Sequence, residues 1–125
     1  MILDTNAVSA LFEGDPAIEA ILAVAAKHHL PIPVIGEYRY GIIGSRQRQD
    51  LEQLLQRLEE KSFLLYPDRD TTRHYAEVRH QLRTIGRPIP ENDVWIAALA
   101  RQHALKIVSR DRHFDNVVGI ERVCW

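Results

Sequence analysis

Four acidic residues at widely separated points, Asp4, Glu37, Asp93 and Asp111, each stand where a short apolar run gives way to a polar turn or helix start. In α/β sheets, ligands bind in the crevice outside the carboxyl ends of the strands. Met1-Ile2-Leu3-Asp4 and Leu105-Lys106-Ile107-Val108-Ser109-Arg110-Asp111 both deliver an acid to such a strand end, so acids remote in sequence meet in space. Packed carboxylates repel and raise one another's pKa unless a cation neutralises them, and hard oxygen donors suit Mg²⁺ or Mn²⁺. A cluster of this kind implies a bound divalent metal.

The elements that must position these acids follow from periodicity. Asp15-Pro16 reads as an N-cap and first helical residue, and Ile18, Ile21, Leu22 and Ala25 recur at helical spacing, predicting a helix over 16–28. Leu30 to Ile35 reads as a short strand running into a helix, with Glu37 at the junction and Pro33 limiting hydrogen bonding just before it. Leu51, Leu54, Leu55 and Leu58 predict an amphipathic helix over 47–60. Phe63 to Tyr66 reads as a third strand. A helix from about Thr71 then turns Tyr75, Val78, Leu82 and Ile85 inward and stops at Gly86 and Pro88. After Pro90, Asn92 reads as an N-cap, Asp93 falls in the first turn where the helix dipole favours an anion, and Val94 to Ala100 is apolar nearly all round. A short terminal strand near Ile120 to Val123 closes the series. Strands alternating with helices predict an α/β fold, a three-layer α/β/α sandwich around a central parallel sheet.

The 125 residues fit one domain, 1–125, without repeats or linkers. Hydrophobic residues at 46% and charged residues at 26% argue against disorder and fibrous repeats. Sixteen basic and 17 acidic residues leave a net charge of −1, so a nucleic-acid partner would have to be held by a local patch. No stretch approaches the roughly 18–20 apolar residues that cross a bilayer, and no basic segment precedes an apolar one at the N-terminus. A soluble, cytoplasmic protein with no membrane partner is expected. Cys124, the only cysteine, excludes an intramolecular disulfide and a cysteine zinc site. His28-His29, His74, His80 and His103 lack metal-ligand spacing and stay outside the site.

Leu3-Asp4-Thr5-Asn6, Gly36-Glu37-Tyr38-Arg39-Tyr40-Gly41, Pro90-Glu91-Asn92-Asp93-Val94-Trp95-Ile96-Ala97-Ala98 and Ser109-Arg110-Asp111-Arg112-His113-Phe114 occur in this order. Together they resemble a PIN-domain protein of the VapC toxin type, over essentially the whole chain. The resemblance implies a metal-dependent endoribonuclease neutralised by an antitoxin protein, with sheet order 3-2-1-4-5. It implies an acidic quartet of Asp4, Glu37, Asp93 and Asp111, supported by Thr5, Asn6, Asn92 and Ser109, and products with 5′-phosphate and 3′-hydroxyl ends. Asp115, four residues beyond Asp111, competes with it for the last place. The first strand is expected to be short, since Asp4 follows only three residues, and an upstream start would lengthen it without moving the acids.

Arg39, Arg110 and Arg112 lie near the acids in sequence and are candidates for RNA phosphate contacts. Arg46 and Arg48 read more simply as solvated surface, and Tyr38, Tyr40 and Trp95 as core or interface. Apolar helix faces around 34 to 58 suit a second copy of the chain or an antitoxin helix, so a homodimer is expected as well. The rival reading is a non-catalytic module of the same fold that binds RNA or protein. A phosphate-accepting Asp4 is disfavoured, because Asn6 occupies the position where such a phosphatase carries a second aspartate.

Overall fold

Ile2 and Leu3 have no exposed surface and hydrogen-bond to strands on both sides, which makes them the central strand of the sheet. The computed structural model describes residues 1–125. Its strands are β1 (Ile2–Leu3), β2 (His29–Pro31), β3 (Phe63–Leu65), β4 (Ile107–Val108) and β5 (Arg122–Val123). All four pairings are parallel, in the order β3-β2-β1-β4-β5. Six helices flank this sheet in a three-layer α/β/α arrangement: α1 (Thr5–Phe12), α2 (Pro16–Val24), α3 (Ile32–Ile42), α4 (Arg48–Lys61), α5 (Arg69–Thr84) and α6 (Glu91–His103). No helix is long and apolar enough to cross a membrane.

The central strands β1 and β4 are buried throughout, whereas the edge strands β3 and β5 are partly exposed, and each strand ends where its chain turns towards the helix layer. Burial compensates for the few ladder bonds, at roughly 1.5–3 kcal/mol for each fully buried aliphatic side chain. In α6, Ile96, Ala97, Ala98, Leu99 and Ala100 are all buried, and the alanines allow the helix to approach its neighbours closely. The helix ends at Ala104 in the left-handed region (φ 52), and Leu105 N–H returns to the Ala100 carbonyl at 2.9 Å. That reversal aims the chain directly into β4, and so towards Ser109 and Asp111.

Several element boundaries differ from the sequence expectation. The helix predicted over 16–28 stops at Val24, where Ala25 becomes extended and His28 Nε2 bonds the Leu22 carbonyl at 3.0 Å. The strand expected over 30–35 is confined to His29–Pro31, and α3 starts at Ile32 with Pro33 in its first turn. A proline there gives up an N–H that would have no intrahelical partner anyway. Glu37 therefore lies in the body of α3 and not at a strand–helix junction. Pro90, not Asn92, precedes the first residue of α6. Ile85 is 49% exposed instead of inward-facing, because α5 ends one residue earlier. The terminal strand shortens to two residues.

Candidate active site

The end of β1 and the end of β4 are stitched together by Asn6. Its Nδ2 donates to Asp4 Oδ2 at 3.2 Å, to Ser109 Oγ at 3.1 Å and to Asp111 Oδ2 at 3.1 Å. Its Oδ1 accepts from the Arg110 backbone N–H at 3.2 Å. Asp4 caps α1 by accepting from Thr5 N–H at 2.8 Å, and Ser109 Oγ donates to its other oxygen at 2.6 Å. Ser109 in turn accepts from the Asp111 N–H at 3.0 Å. Asp4 is thus both a helix cap and a cluster member, because β1 hands directly into α1.

Glu37 arrives from α3 and Asp93 from the first turn of α6. The cleft is lined by Asp4, Thr5, Asn6, Ser9, Glu37, Asp93 and Asp111, with no apolar residue among them. Asp4 is 2% and Asp93 7% exposed. Burial pushes the Asp4 carboxyl up; hydrogen bonds from Ser109 and Thr5 oppose this, while the Asp111 and Glu37 charges reinforce it. Burial, followed by the Asp4 charge, pushes Asp93 from the ordinary 3.8 up to about 6, against the pull of His113. Glu37 Oε2 and Thr5 Oγ1 are shielded from solvent and have no hydrogen-bond partner. Repelling carboxylates and orphaned buried oxygens are the donor set that a hard divalent cation would satisfy.

Asp115 lies outside this cleft. It forms a two-pronged pair with Arg122, Nε to Oδ1 and a terminal nitrogen to Oδ2, both at 2.8 Å, and this pairing holds its carboxyl below the usual range. Asn92 also stays apart, exposed and without a side-chain hydrogen bond. Arg39 is engaged by Glu52 and Glu59, each at 3.1 Å, tying α3 to α4 and leaving it poorly placed for RNA phosphate. Arg110 pairs with Asp15 at 3.1 Å and lies 4.5 Å from the centre of the Trp125 ring. Arg112 is exposed and unpaired. Tyr38 is buried edge-on against Phe12, and Trp95 stacks on Tyr75 at 4.1 Å, while Tyr40 is 79% exposed.

Two residues at the site escape sequence reasoning. Ser9 joins the cleft one helical turn after Thr5, a spacing that was legible. His113 Nε2 lies 2.9 Å from Asp93 Oδ2, within ion-pair distance though outside hydrogen-bond geometry. Ligand atoms of Asp93, Asp111 and His113 all fall within 4.8 Å of one another. The single-turn 3₁₀ segment Arg112–Asn116 swings His113 back over the cleft, and the only sequence signal was its place two residues beyond Asp111.

The family model of the PIN domain matches residues 1–120. Ribonuclease VapC1 of Haemophilus influenzae (strain R2866) is 28% identical over 129 residues, covering 99% of this chain and 96% of that protein. The solved VapBC2 from Rickettsia felis, bound to a DNA fragment from its promoter, superposes with a TM-score of 0.90 at 22% identity, over 99% of this chain and 97% of the other. VapBC-5 from Mycobacterium tuberculosis, a member of the VapBC family of toxin–antitoxin systems, gives 0.74 at 22% identity, over 99% and 97%.

Proposed function

This chain belongs to the PIN domain family, and on that premise we propose that residues 1–125 form one metal-dependent endoribonuclease domain, the toxin of a toxin–antitoxin pair acting in the cytoplasm. The observation that carries this reading is the wholly polar cleft in which four carboxylates from β1, α3, α6 and the end of β4 converge. Support comes from the ribonuclease among its relatives and the toxin–antitoxin assemblies among its structural neighbours.

Asp4, Asp93, Asp111 and Glu37 are the residues that would hold the ion, Mg²⁺ or Mn²⁺. When bound, such an ion activates water for attack and offsets charge on the phosphodiester oxygens. Ser109 and Asn6 fix the orientation of Asp4 and Asp111 beforehand, so the ligands need little rearrangement. Burial and the neighbouring carboxylates raise the pKa values of Asp4 and Asp93, and the same repulsion favours a cation. The polar lining of the cleft suits a phosphate backbone more than a particular base.

The antitoxin is assigned to the groove between α1, α2 and α4, where Leu11, Phe12, Leu22, Leu54 and Leu58 form an apolar floor flanked by Glu19, Arg57 and Lys61. A homodimer completes the proposal, and light scattering of the purified chain checks it. The central test incubates RNA with the protein and Mg²⁺ or Mn²⁺ and maps the ends produced. Cleavage leaving 5′-phosphates, abolished by chelation and by Asp4→Asn or Asp93→Asn, is expected. Undiminished cleavage by both purified variants would sink the proposal, and calorimetry showing no uptake of either ion would favour the non-catalytic binding module instead.

A further inference from the structure

We propose that His113 is an additional, nitrogen-donating ligand of the ion in this cleft, and that it shifts the site's preference from Mg²⁺ towards Mn²⁺. The inference rests on the metal-dependent reading above and adds to it a residue outside the acidic quartet.

Three observations converge on it. His113 Nε2 is shielded from solvent yet makes no hydrogen bond, so a buried polar atom stands without a proper partner at the lip of the acid cluster. It shares with Asp93 and Asp111 a set of potential ligand atoms all within 4.8 Å of one another. Its 2.9 Å separation from Asp93 Oδ2 matches the edge between neighbouring ligands of a six-coordinate ion, which is about 3 Å for ligand distances of roughly 2.1 Å. The ring is also held in place. Phe114, fully buried, anchors the 3₁₀ segment, and its ring packs 4.8 Å from the imidazole centre.

The consequence for metal choice follows from ligand chemistry. Mg²⁺ prefers an all-oxygen shell, whereas imidazole is a good donor to first-row transition ions. A purely acidic cleft would distinguish Mg²⁺ from Mn²⁺ weakly, and one neutral nitrogen favours Mn²⁺. The other five histidines are engaged elsewhere or remote: His28 bonds the Leu22 carbonyl, His29 stacks on Phe63, and His74 lies beside Asp70. His80 is on α5 and His103 at the end of α6. A histidine signal from the bound ion would therefore be assignable.

The test is pulsed electron paramagnetic resonance of the intact chain loaded with Mn²⁺ alone. Modulation from a coordinated imidazole nitrogen is expected, changing from the ¹⁴N to the ¹⁵N pattern when the protein carries [¹⁵N]histidine. This arm needs no substitution and so does not depend on a variant folding. His113→Gln should remove the modulation and weaken Mn²⁺ binding on the order of tenfold, with Mg²⁺ binding by calorimetry nearly unchanged. Mn²⁺ that binds the wild-type protein without histidine coupling would overturn the assignment of His113 and leave the nuclease reading standing. Failure of the wild-type protein to bind Mn²⁺ at all would overturn both.

Discussion

Asp68 and Asp93 both stand at the start of a helix, yet their carboxyls are treated in opposite ways. Asp68 caps α5 and accepts from the Thr71 backbone N–H, the Thr71 hydroxyl and the Gln102 amide, each at 3.0 Å. Those bonds, the Thr71 N–H foremost, hold its pKa below the ordinary range. Asp93, in the first turn of α6, is buried, receives no hydrogen bond and faces Asp4, and its pKa rises to about 6. One acid is satisfied by its own fold and serves stability. The other has only the His113 imidazole, 2.9 Å away, against the carboxylates around it, which is the condition of a ligand-binding group.

The largest test of this contrast is Asp93→Asn against Asp68→Ala. Asp93→Asn should lower RNA cleavage on the order of a thousandfold or more, while leaving the ion-free protein as stable as before or more so, since a repelling charge is gone. Asp68→Ala should do the reverse, lowering the melting temperature by a few degrees through the lost cap and leaving cleavage per folded molecule intact. Activity assays and thermal melts on both variants decide it. A fall in stability for Asp93→Asn equal to that for Asp68→Ala would erase the distinction.

Next in size is the response to pH and to metal. Asp93 has a folded-state pKa near 6 against an ordinary 3.8, so the folded protein binds this proton more tightly than the unfolded chain does. Its contribution to stability is full below about pH 4, is lost as pH rises to about 6, and changes little beyond. Asp4, also raised, acts in the same direction. Asp68 and Asp115, both lowered, contribute stability at neutral pH that disappears on acidification. Melts of the chelated protein between pH 4 and 7 should show the cleft's decline, and Asp93→Asn should flatten it. Mn²⁺ at about a hundred times its dissociation constant should add roughly 2.7 kcal/mol at pH 7. A melting temperature indifferent to Mn²⁺ would break the contrast from the other side.

The sheet and the gathering of acids were legible because they rest on signals that survive folding unchanged. Asp4 follows a run of buried aliphatics, and Asp93 precedes a helix apolar on every side, so both had to lie at a buried boundary. Glu37 was legible only through its motif, since Pro33 looked like a strand interruption when it belongs to the first turn of α3. Position after the strand end favoured Asp111 over Asp115, but what occupies Asp115 was not legible, because it depends on Arg122, seven residues beyond it, closing a pair from β5. His113 was hidden for a related reason: a single 3₁₀ turn decides which way it faces, and one turn leaves no periodicity to read.

The arginines carry the same contrast to the surface, and they give its smallest test. Arg39 spends its charge on Glu52 and Glu59, and Arg110 on Asp15, whereas Arg112, next to Asp111 in the chain, is exposed and forms no ion pair, its charge acting only weakly on Asp115. A paired guanidinium gains little from a phosphate, because binding would break one ion pair to make another. Arg112→Ala should therefore reduce the dependence of RNA binding on salt by about one phosphate contact, a change of roughly 0.7 in the logarithmic slope. Arg39→Ala should leave that slope unchanged and instead loosen the packing of α3 on α4. Binding titrations of the non-cleaving Asp4→Asn protein over a range of salt concentrations, with each arginine removed in turn, measure the difference. If Arg39→Ala moved the slope and Arg112→Ala did not, internal pairing would be no guide to which charges on this protein remain free for a partner.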